Sequence, residues 1–187
     1  MRKRVIKYVA SATLLTTIGV VIWRYKRNIS DMASKLTTGS YFSIEELCDS
    51  DVAKEYGIDN TPSASVAQNL RGLIDNCLNP VRELYGKPII VSSGYRCKAL
   101  NDKVGGVANS QHLTGCAADL VPDMGGSLRG IFEACLKFGN YDQLIIEENS
   151  RGSRWVHVSY SGRNRREVLA YKNGAYHNIK NDWSRWV

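Results

Sequence analysis

The sequence predicts an α+β domain preceded by one N-terminal transmembrane helix. Three features indicate this arrangement: an apolar run near the start, helical periodicity in the first half of the remaining chain, and short β-branched segments after it. At 187 residues and 43% hydrophobic composition, the chain has room for one ordinary domain with a proper core. This composition excludes a wholly disordered chain, a collagen-like repeat and a protein with several membrane spans.

Residues 8–23 form an uncharged, mostly apolar run with basic clusters on both sides. Such a run rises about 24 Å as a helix, and counting from Val5 brings it near the length that a bilayer requires. Aromatic and basic residues follow it, in place of the small residues of a cleavage site, so we favour an uncleaved signal anchor over a cleaved signal peptide. We therefore expect an anchor over 1–27 and a polar linker over 28–40, with the domain on the periplasmic or extracellular side of the cell membrane.

The net charge of +7 belongs to this leader and not to the domain. Residues 1–27 hold seven basic residues and no acidic one, whereas residues 28–187 carry 18 of each sign. The sequence therefore gives no indication of a nucleic-acid partner. Five cysteines without C-x-x-C pairing exclude a zinc finger, and they leave both disulfides and free buried thiols open.

The domain opens with helical signals. Ser43 and Glu46 form a capping-box pattern, and Thr61-Pro62 predicts a second helix with proline at its first position. Pro80 predicts a kink or restart in that helix. A third helix is predicted over 127–138 from its apolar spacing.

Short apolar segments then predict the strands of a small sheet. They cover residues 89–92, 117–121, 143–147, 154–160, 167–171 and 175–179. The dipeptide Asn173-Gly174 predicts a hairpin turn between the last two.

Three polar residues are candidates for a metal site. His157 and Asp119 each lie in an apolar strand pattern, and His112 lies in a Gly- and Ser-rich stretch seven residues before Asp119. If the two strands are neighbours, these side chains can converge. Two imidazoles and a carboxylate suit a zinc ion (Zn²⁺) with its fourth position open, which is typical of hydrolytic sites. The third histidine, His177, follows a hairpin turn and is interpreted as an exposed polar residue.

The segments around these residues resemble the signature of the zinc D-Ala-D-Ala carboxypeptidases, peptidoglycan metallopeptidases that share a fold with the hedgehog signalling domain. The shared segments are Ser92–Arg96, Asn101–Gly106, Ser110–Asp119 and Trp155–His157. The resemblance covers about residues 41–160 and is nearest to the subfamily found in phages and gut bacteria. It implies that His112, Asp119 and His157 bind zinc.

The same resemblance implies roles for two more residues. Arg96 would hold the substrate's C-terminal carboxylate or polarise the scissile carbonyl, and Ser110 would make a second polar contact to the peptide. We therefore expect a peptidase domain over 41–161, followed by a C-terminal hairpin and tail over 162–187.

At the catalytic glutamate the chain departs from the family that it resembles. Several members of that family carry it within a few residues before the last histidine, whereas residues 151–156 here contain no acid. We expect Glu147 to serve as the general base, returning beside His157 across a longer hairpin. Glu148 should point to the opposite face by strand alternation. Asp142 either orients a ligand histidine or caps a turn.

These features predict a membrane-anchored zinc peptidase, acting as a monomer on peptidoglycan stem peptides. The cut is either a carboxypeptidase cut at a terminal D-Ala or an endopeptidase cut within a cross-link, and the origin is bacterial or phage. Two alternatives stay open: an inactive zinc-bearing module that binds the cell wall, and a membrane-tethered adaptor without enzymatic activity.

Overall fold

The computed structural model describes residues 39–123 and 125–187, and within them Phe42–Val187 form a compact unit. The predicted anchor over 1–27 and most of the linker over 28–40 lie outside the described residues. In the part of the chain that is described, no helix is long and apolar enough to cross a membrane.

The helices come mostly before the strands. The α-helices are α1 (Ile44–Cys48), α2 (Asp51–Tyr56), α3 (Ala64–Leu73), α4 (Asn79–Tyr85), α5 (Lys98–Lys103) and α6 (Leu128–Phe138). A π-helical segment, Ile74–Leu78, joins α3 to α4, and 3₁₀ turns cover Gln111–Thr114 and Trp183–Arg185.

The helix starts follow the capping residues. Ser43 caps α1 as expected, since its Oγ accepts a hydrogen bond from the Glu46 amide at 3.1 Å. The predicted start at Thr61-Pro62 is wrong, because α3 begins at Ala64 with Ser63 as its cap. Instead, the Thr61 amide donates to Asp59 Oδ1 at 2.9 Å, which holds this stretch in a turn before the helix.

Pro80 does not end the helical run. It lies in the first turn of α4, directly after the π-helical segment. Proline has no N–H for the Asn76 carbonyl four residues earlier, and the side-chain amide of Asn140 donates to that carbonyl at 3.1 Å. The helical backbone thus continues through Pro80, with a π-helical segment before it and a distant side chain bonded to the Asn76 carbonyl.

The described residues form a six-stranded sheet in the order β1-β2-β4-β3-β5-β6. Its strands are β1 (Ile89–Ser93), β2 (Ala117–Pro122), β3 (Gln143–Glu148), β4 (Arg154–Ser159), β5 (Glu167–Lys172) and β6 (Ala175–Asn178). All neighbours are antiparallel except β3 and β5, which confirms a mixed α+β domain with a mainly antiparallel sheet. The predicted hairpin turn is also confirmed, since Asn173 and Gly174 have φ of 53° and 80°.

Helix α6 covers one face of the sheet and contacts β2, β3 and β4. Fully buried aliphatic side chains meet there, including Leu120, Leu144, Val156 and Val158. Because side chains alternate along a strand, the intervening residues of β2, β3 and β4 point to the opposite face. The core thus fixes the positions of the polar residues on that open face.

All five cysteines lie in the described region and are free thiols. Cys77 and Cys135 are buried in the core, and burial raises the pKa of Cys77 to about 12. These two behave as small apolar side chains.

Candidate metal centre

Strands β2 and β4 bring two of the candidate ligands together. Asp119 pairs with His157 in their antiparallel register, so both side chains leave the sheet on its open face. Asp119 Oδ1 lies 3.0 Å from His157 Nδ1. The condition on which the sequence prediction rested, that the two strands are neighbours, is met.

His112 reaches the same point from the 3₁₀ turn Gln111–Thr114. Its Nδ1–H donates to the Gly94 carbonyl at 2.6 Å, which leaves the Nε2 lone pair directed at the other two residues. Nε2 lies 3.3 Å from Asp119 Oδ1 and 3.3 Å from His157 Nδ1. A carbonyl that fixes the tautomer in this way is typical of a metal-binding histidine.

The three donor atoms fit a metal ion. His112, Asp119 and His157 are buried, and the atoms they offer lie within 4.8 Å of one another. The nearest atoms are separated by 3.0 to 3.3 Å. Tetrahedral bonds of roughly 2.0–2.1 Å would place neighbouring ligand atoms roughly 3.3 Å apart. The cluster therefore has the spacing and the nitrogen and oxygen donors of a site with three protein ligands.

Electrostatics keep the Asp119 carboxylate ionised. Burial alone would raise the pKa of Asp119, but the adjacent His112 and His157 imidazoles outweigh this effect and hold it below its ordinary value. An ionised carboxylate is the form that binds a cation.

Glu147 lies beside this cluster on the same face. In the β3–β4 register it pairs with Trp155, so it is diagonal to His157 and not directly opposite it. Its Oε1 is 4.0 Å from His157 Nδ1, and its side chain is 19% exposed. Burial is the main reason that the pKa of Glu147 is raised above its ordinary value. Glu148 points away, as expected, and pairs with Lys172 at 3.1 Å.

Arg96 borders the cluster on the side of β1. Its Nη2 is 4.0 Å from Asp119 Oδ2, and its backbone amide donates to the His112 carbonyl at 3.2 Å. Its buried Nε has no hydrogen-bond partner among the described residues. The guanidinium thus keeps donors available for another group.

The remaining candidates have structural contacts. Ser110 caps the turn that carries His112, whose amide approaches its Oγ at 3.4 Å. Asp142 accepts a hydrogen bond from the Ser161 hydroxyl, a contact between side chains that corresponds to neither of the two expected roles. His177 is exposed and stacks on Trp186, with ring centroids 5.1 Å apart.

Gly94 lies within the shared segment Ser92–Arg96, and the sequence alone indicates no role for it. It is buried, and a Cβ at this position would lie 2.2 Å from the Leu47 carbonyl oxygen. Only glycine fits this approach, which places its carbonyl on His112. The signal in the sequence was a glycine directly between a strand and the candidate arginine.

Three candidate ligands with a nearby carboxyl group and a guanidinium, on the open face of an α+β sheet, are the arrangement that a metal-dependent hydrolase requires. The chain belongs to the peptidase M15 family, whose model matches residues 40–159. The matched range contains the three ligand candidates together with Arg96 and Glu147, and the resemblance to the zinc carboxypeptidases is confirmed. No curated protein matches the chain.

Proposed function

We propose that this protein is a zinc peptidase that hydrolyses peptidoglycan stem peptides, at a terminal D-Ala or within a cross-link. The observation that carries the proposal is the set of three donor atoms 3.0 to 3.3 Å apart, with the Glu147 carboxyl 4.0 Å from one of them. Membership of the peptidase M15 family supports the reaction class. The segments Ser110–Asp119 and Trp155–His157 support the substrate class through their resemblance to the D-Ala-D-Ala carboxypeptidases.

Zinc is the ion that we propose for His112, Asp119 and His157. Two imidazole nitrogens and one carboxylate oxygen are a common catalytic zinc set, whereas magnesium and calcium prefer oxygen ligands alone. When bound, zinc would lower the pKa of a water molecule and polarise the scissile carbonyl.

Glu147 is the proposed general base. It takes a proton from the attacking water and returns it to the leaving amine after the tetrahedral intermediate forms. The raised pKa of Glu147 suits both steps, because a carboxyl with a pKa nearer neutrality is a better proton acceptor and can later serve as a donor.

Arg96 is the proposed anion-binding group. Its guanidinium can hold the C-terminal carboxylate of the substrate in a bidentate pair, or stabilise the developing oxyanion. The position of the guanidinium supports this role, because its Nη2 lies 4.0 Å from Asp119 Oδ2 and the Arg96 amide is bonded to the His112 carbonyl. Ser110 is proposed as a second polar contact to the peptide.

The experiment compares wild type with Glu147→Gln and His157→Ala on purified muropeptides, with and without a chelator, by mass spectrometry. Glu147→Gln should retain zinc binding in a titration and reduce turnover by about 10²- to 10⁴-fold, because the amide cannot accept the proton. His157→Ala should lose both zinc and activity. Chelator-sensitive loss of one alanine identifies a carboxypeptidase, and resolution of cross-linked dimers identifies an endopeptidase.

Two results would contradict the proposal. Full turnover in Glu147→Gln would show that another group is the base. Stoichiometric zinc and binding to peptidoglycan without any product would instead support the inactive binding module. That alternative was suggested by the lack of an acid at residues 151–156, and the position of Glu147 beside His157 favours the peptidase over it.

We also propose that residues 1–27 hold the enzyme at the cell membrane, with the domain on the outer side. The support is the apolar run with basic flanks, and the location of peptidoglycan outside the membrane. Membrane fractionation of wild type and of a chain lacking residues 1–27 tests this. Equal recovery of both in the soluble fraction would exclude an anchor.

A further inference from the structure

Four side chains form a row across the open face of the sheet. Trp155, Glu147, Tyr171 and Tyr176 lie on β4, β3, β5 and β6 and are register partners from each strand to the next. Partners in register project from the same face. Glu147 therefore has the ligand cluster on one side and two tyrosines on the other.

The two tyrosines form an exposed aromatic surface. Their ring centroids are 4.7 Å apart and the rings are tilted by 49°. Tyr176 is 59% exposed, one of the exposed large hydrophobic side chains of the domain. Its pKa is raised, first by burial and next by the Glu147 carboxylate, in agreement with its position along the row.

This surface belongs to residues beyond the match to the family model. The match ends at residue 159, whereas Tyr171 and Tyr176 lie on β5 and β6. The two strands extend the catalytic sheet beyond β3, so this chain's own C-terminal residues lengthen the open face.

The strand order gives the distance across the sheet from the candidate ligands to Tyr176, which can be compared with the length of an extended peptide. Arg96 and Asp119 lie at the β1–β2 side, His157 is on β4, and Tyr176 is three strands further along. At about 4.8 Å between strands, Tyr176 lies about 14 Å from β4, measured across the sheet. An extended peptide rises about 3.4 Å per residue, so this distance corresponds to about four residues.

We propose that Tyr171 and Tyr176 form a subsite for the acyl side of an extended peptide, about three to four residues before the bond that is cut. This rests on the proposed function: with the C-terminal carboxylate at Arg96 and the scissile bond at the ligands, the acyl side crosses Glu147 towards β6. The aromatic rings pack against the aliphatic parts of those residues. The subsite makes the enzyme selective for long stem peptides over short ones.

The test measures kcat/KM of the zinc-loaded full-length chain on peptides of two to five residues that end in D-Ala-D-Ala. In wild type, kcat/KM should rise with length up to four or five residues. Tyr176→Ala should remove about five- to tenfold of that rise, because the longer peptides lose an aromatic contact. Tyr56→Ala is the matched control, since Tyr56 is 52% exposed on α2 and should leave the length dependence intact.

A measurement of peptide binding tests the subsite separately from the proposed peptidase activity. The dissociation constant of the five-residue peptide is measured in Glu147→Gln, with and without Tyr176→Ala. Weaker binding in the double variant supports the subsite, even if wild type cuts none of the peptides and the proposed function fails. Equal binding in the two proteins, or a full length dependence in Tyr176→Ala, overturns the subsite while leaving the peptidase proposal intact.

Discussion

Gly94 lies between the candidate ligand His112 and the backbone of helix α1. Its carbonyl accepts the His112 Nδ1–H at 2.6 Å, and the next amide, that of Tyr95, donates to the Leu47 carbonyl at 2.7 Å. A side chain here would meet the Leu47 backbone, whose nearest atom lies at 2.2 Å. Backbone atoms of a helix cannot move aside as the end of a flexible side chain can.

Gly94→Ala should therefore destabilise the domain and disturb the metal site together. We expect a loss of about 2 kcal/mol in the free energy of unfolding from overpacking. Displacing the carbonyl from His112 should also lower zinc affinity by about 10- to 100-fold. Urea unfolding and zinc titration of the same variant measure the two effects.

Gly72→Ala is the matched control. A Cβ at Gly72 meets nothing within 4 Å, and the residue lies inside α3. Alanine is the better helix former by about 0.5–1 kcal/mol, so this variant should be more stable and bind zinc normally. Equal stability changes in the two variants would contradict the steric account of Gly94.

At the scale of the elements, helix α6 has a serine cap that also contacts another helix. Ser127 Oγ accepts a hydrogen bond from the Gly130 amide at 3.0 Å, and the Ser127 amide donates to the Tyr85 hydroxyl at 2.8 Å. The Ser127 hydroxyl thus gives a hydrogen-bond acceptor to one of the amides in the first turn of α6. The Ser127 amide links the same turn to Tyr85 at the end of α4.

Ser127→Ala should lower the free energy of unfolding by about 1 kcal/mol, because one amide at the start of α6 loses its acceptor. Ser127→Asp should keep most of the stability, since aspartate caps as well as serine. Thermal unfolding of the three proteins checks this. If Ser127→Asp is as unstable as Ser127→Ala, capping is not the role of this side chain.

The sequence predicted features that depend on local chemistry. The cap at Ser43, the turn at Asn173-Gly174 and the strands around Asp119 and His157 follow from residue types and alternation. Features that depend on contacts between residues far apart in sequence could not be predicted from residue types and alternation. The Asn76 carbonyl, which Pro80 leaves without its amide donor, bonds to the distant Asn140 side chain. The Thr61 amide bonds to Asp59, so α3 does not begin at Thr61.

The same distinction between local patterns and distant contacts applies to the residues of the candidate site. The three ligand candidates and Glu147 were predictable because a motif and strand alternation select them. The contribution of Gly94 was not, because it arises from a contact with Leu47 across 47 positions of sequence. The tyrosine surface depends on the parallel pairing of β5 with β3, which hydrophobic patterns do not encode.

At the scale of the whole molecule, the C-terminal residues are part of the core. Val168, Ala170 and Ile179 are buried, and the Ile179 amide donates to the Val168 carbonyl at 3.0 Å. Trp183 stacks on Phe132 of α6, with centroids 5.9 Å apart. Residues beyond the family match should therefore unfold together with the rest of the domain.

Ile179→Ala should cost about 3 kcal/mol in the free energy of unfolding, because it leaves a cavity in this core. The whole transition should shift in a single step, whether followed by tryptophan fluorescence or by circular dichroism. Val107→Ala, at a side chain that is 64% exposed, should change stability by less than about 0.5 kcal/mol. A separate early transition for the C-terminal residues would contradict this view.

The strand order has a consequence for the time at which activity begins. A ribosome makes β2 and β3 before β4, yet β4 lies between them, so Asp119 has no His157 beside it until that strand has been made. The outer edge of β3, which carries Glu147, stays uncovered until residues 167–172 arrive. A nascent chain therefore lacks the complete site until β4, Arg154–Ser159, has been synthesised, so the proposed hydrolytic activity cannot begin before most of the chain has been made.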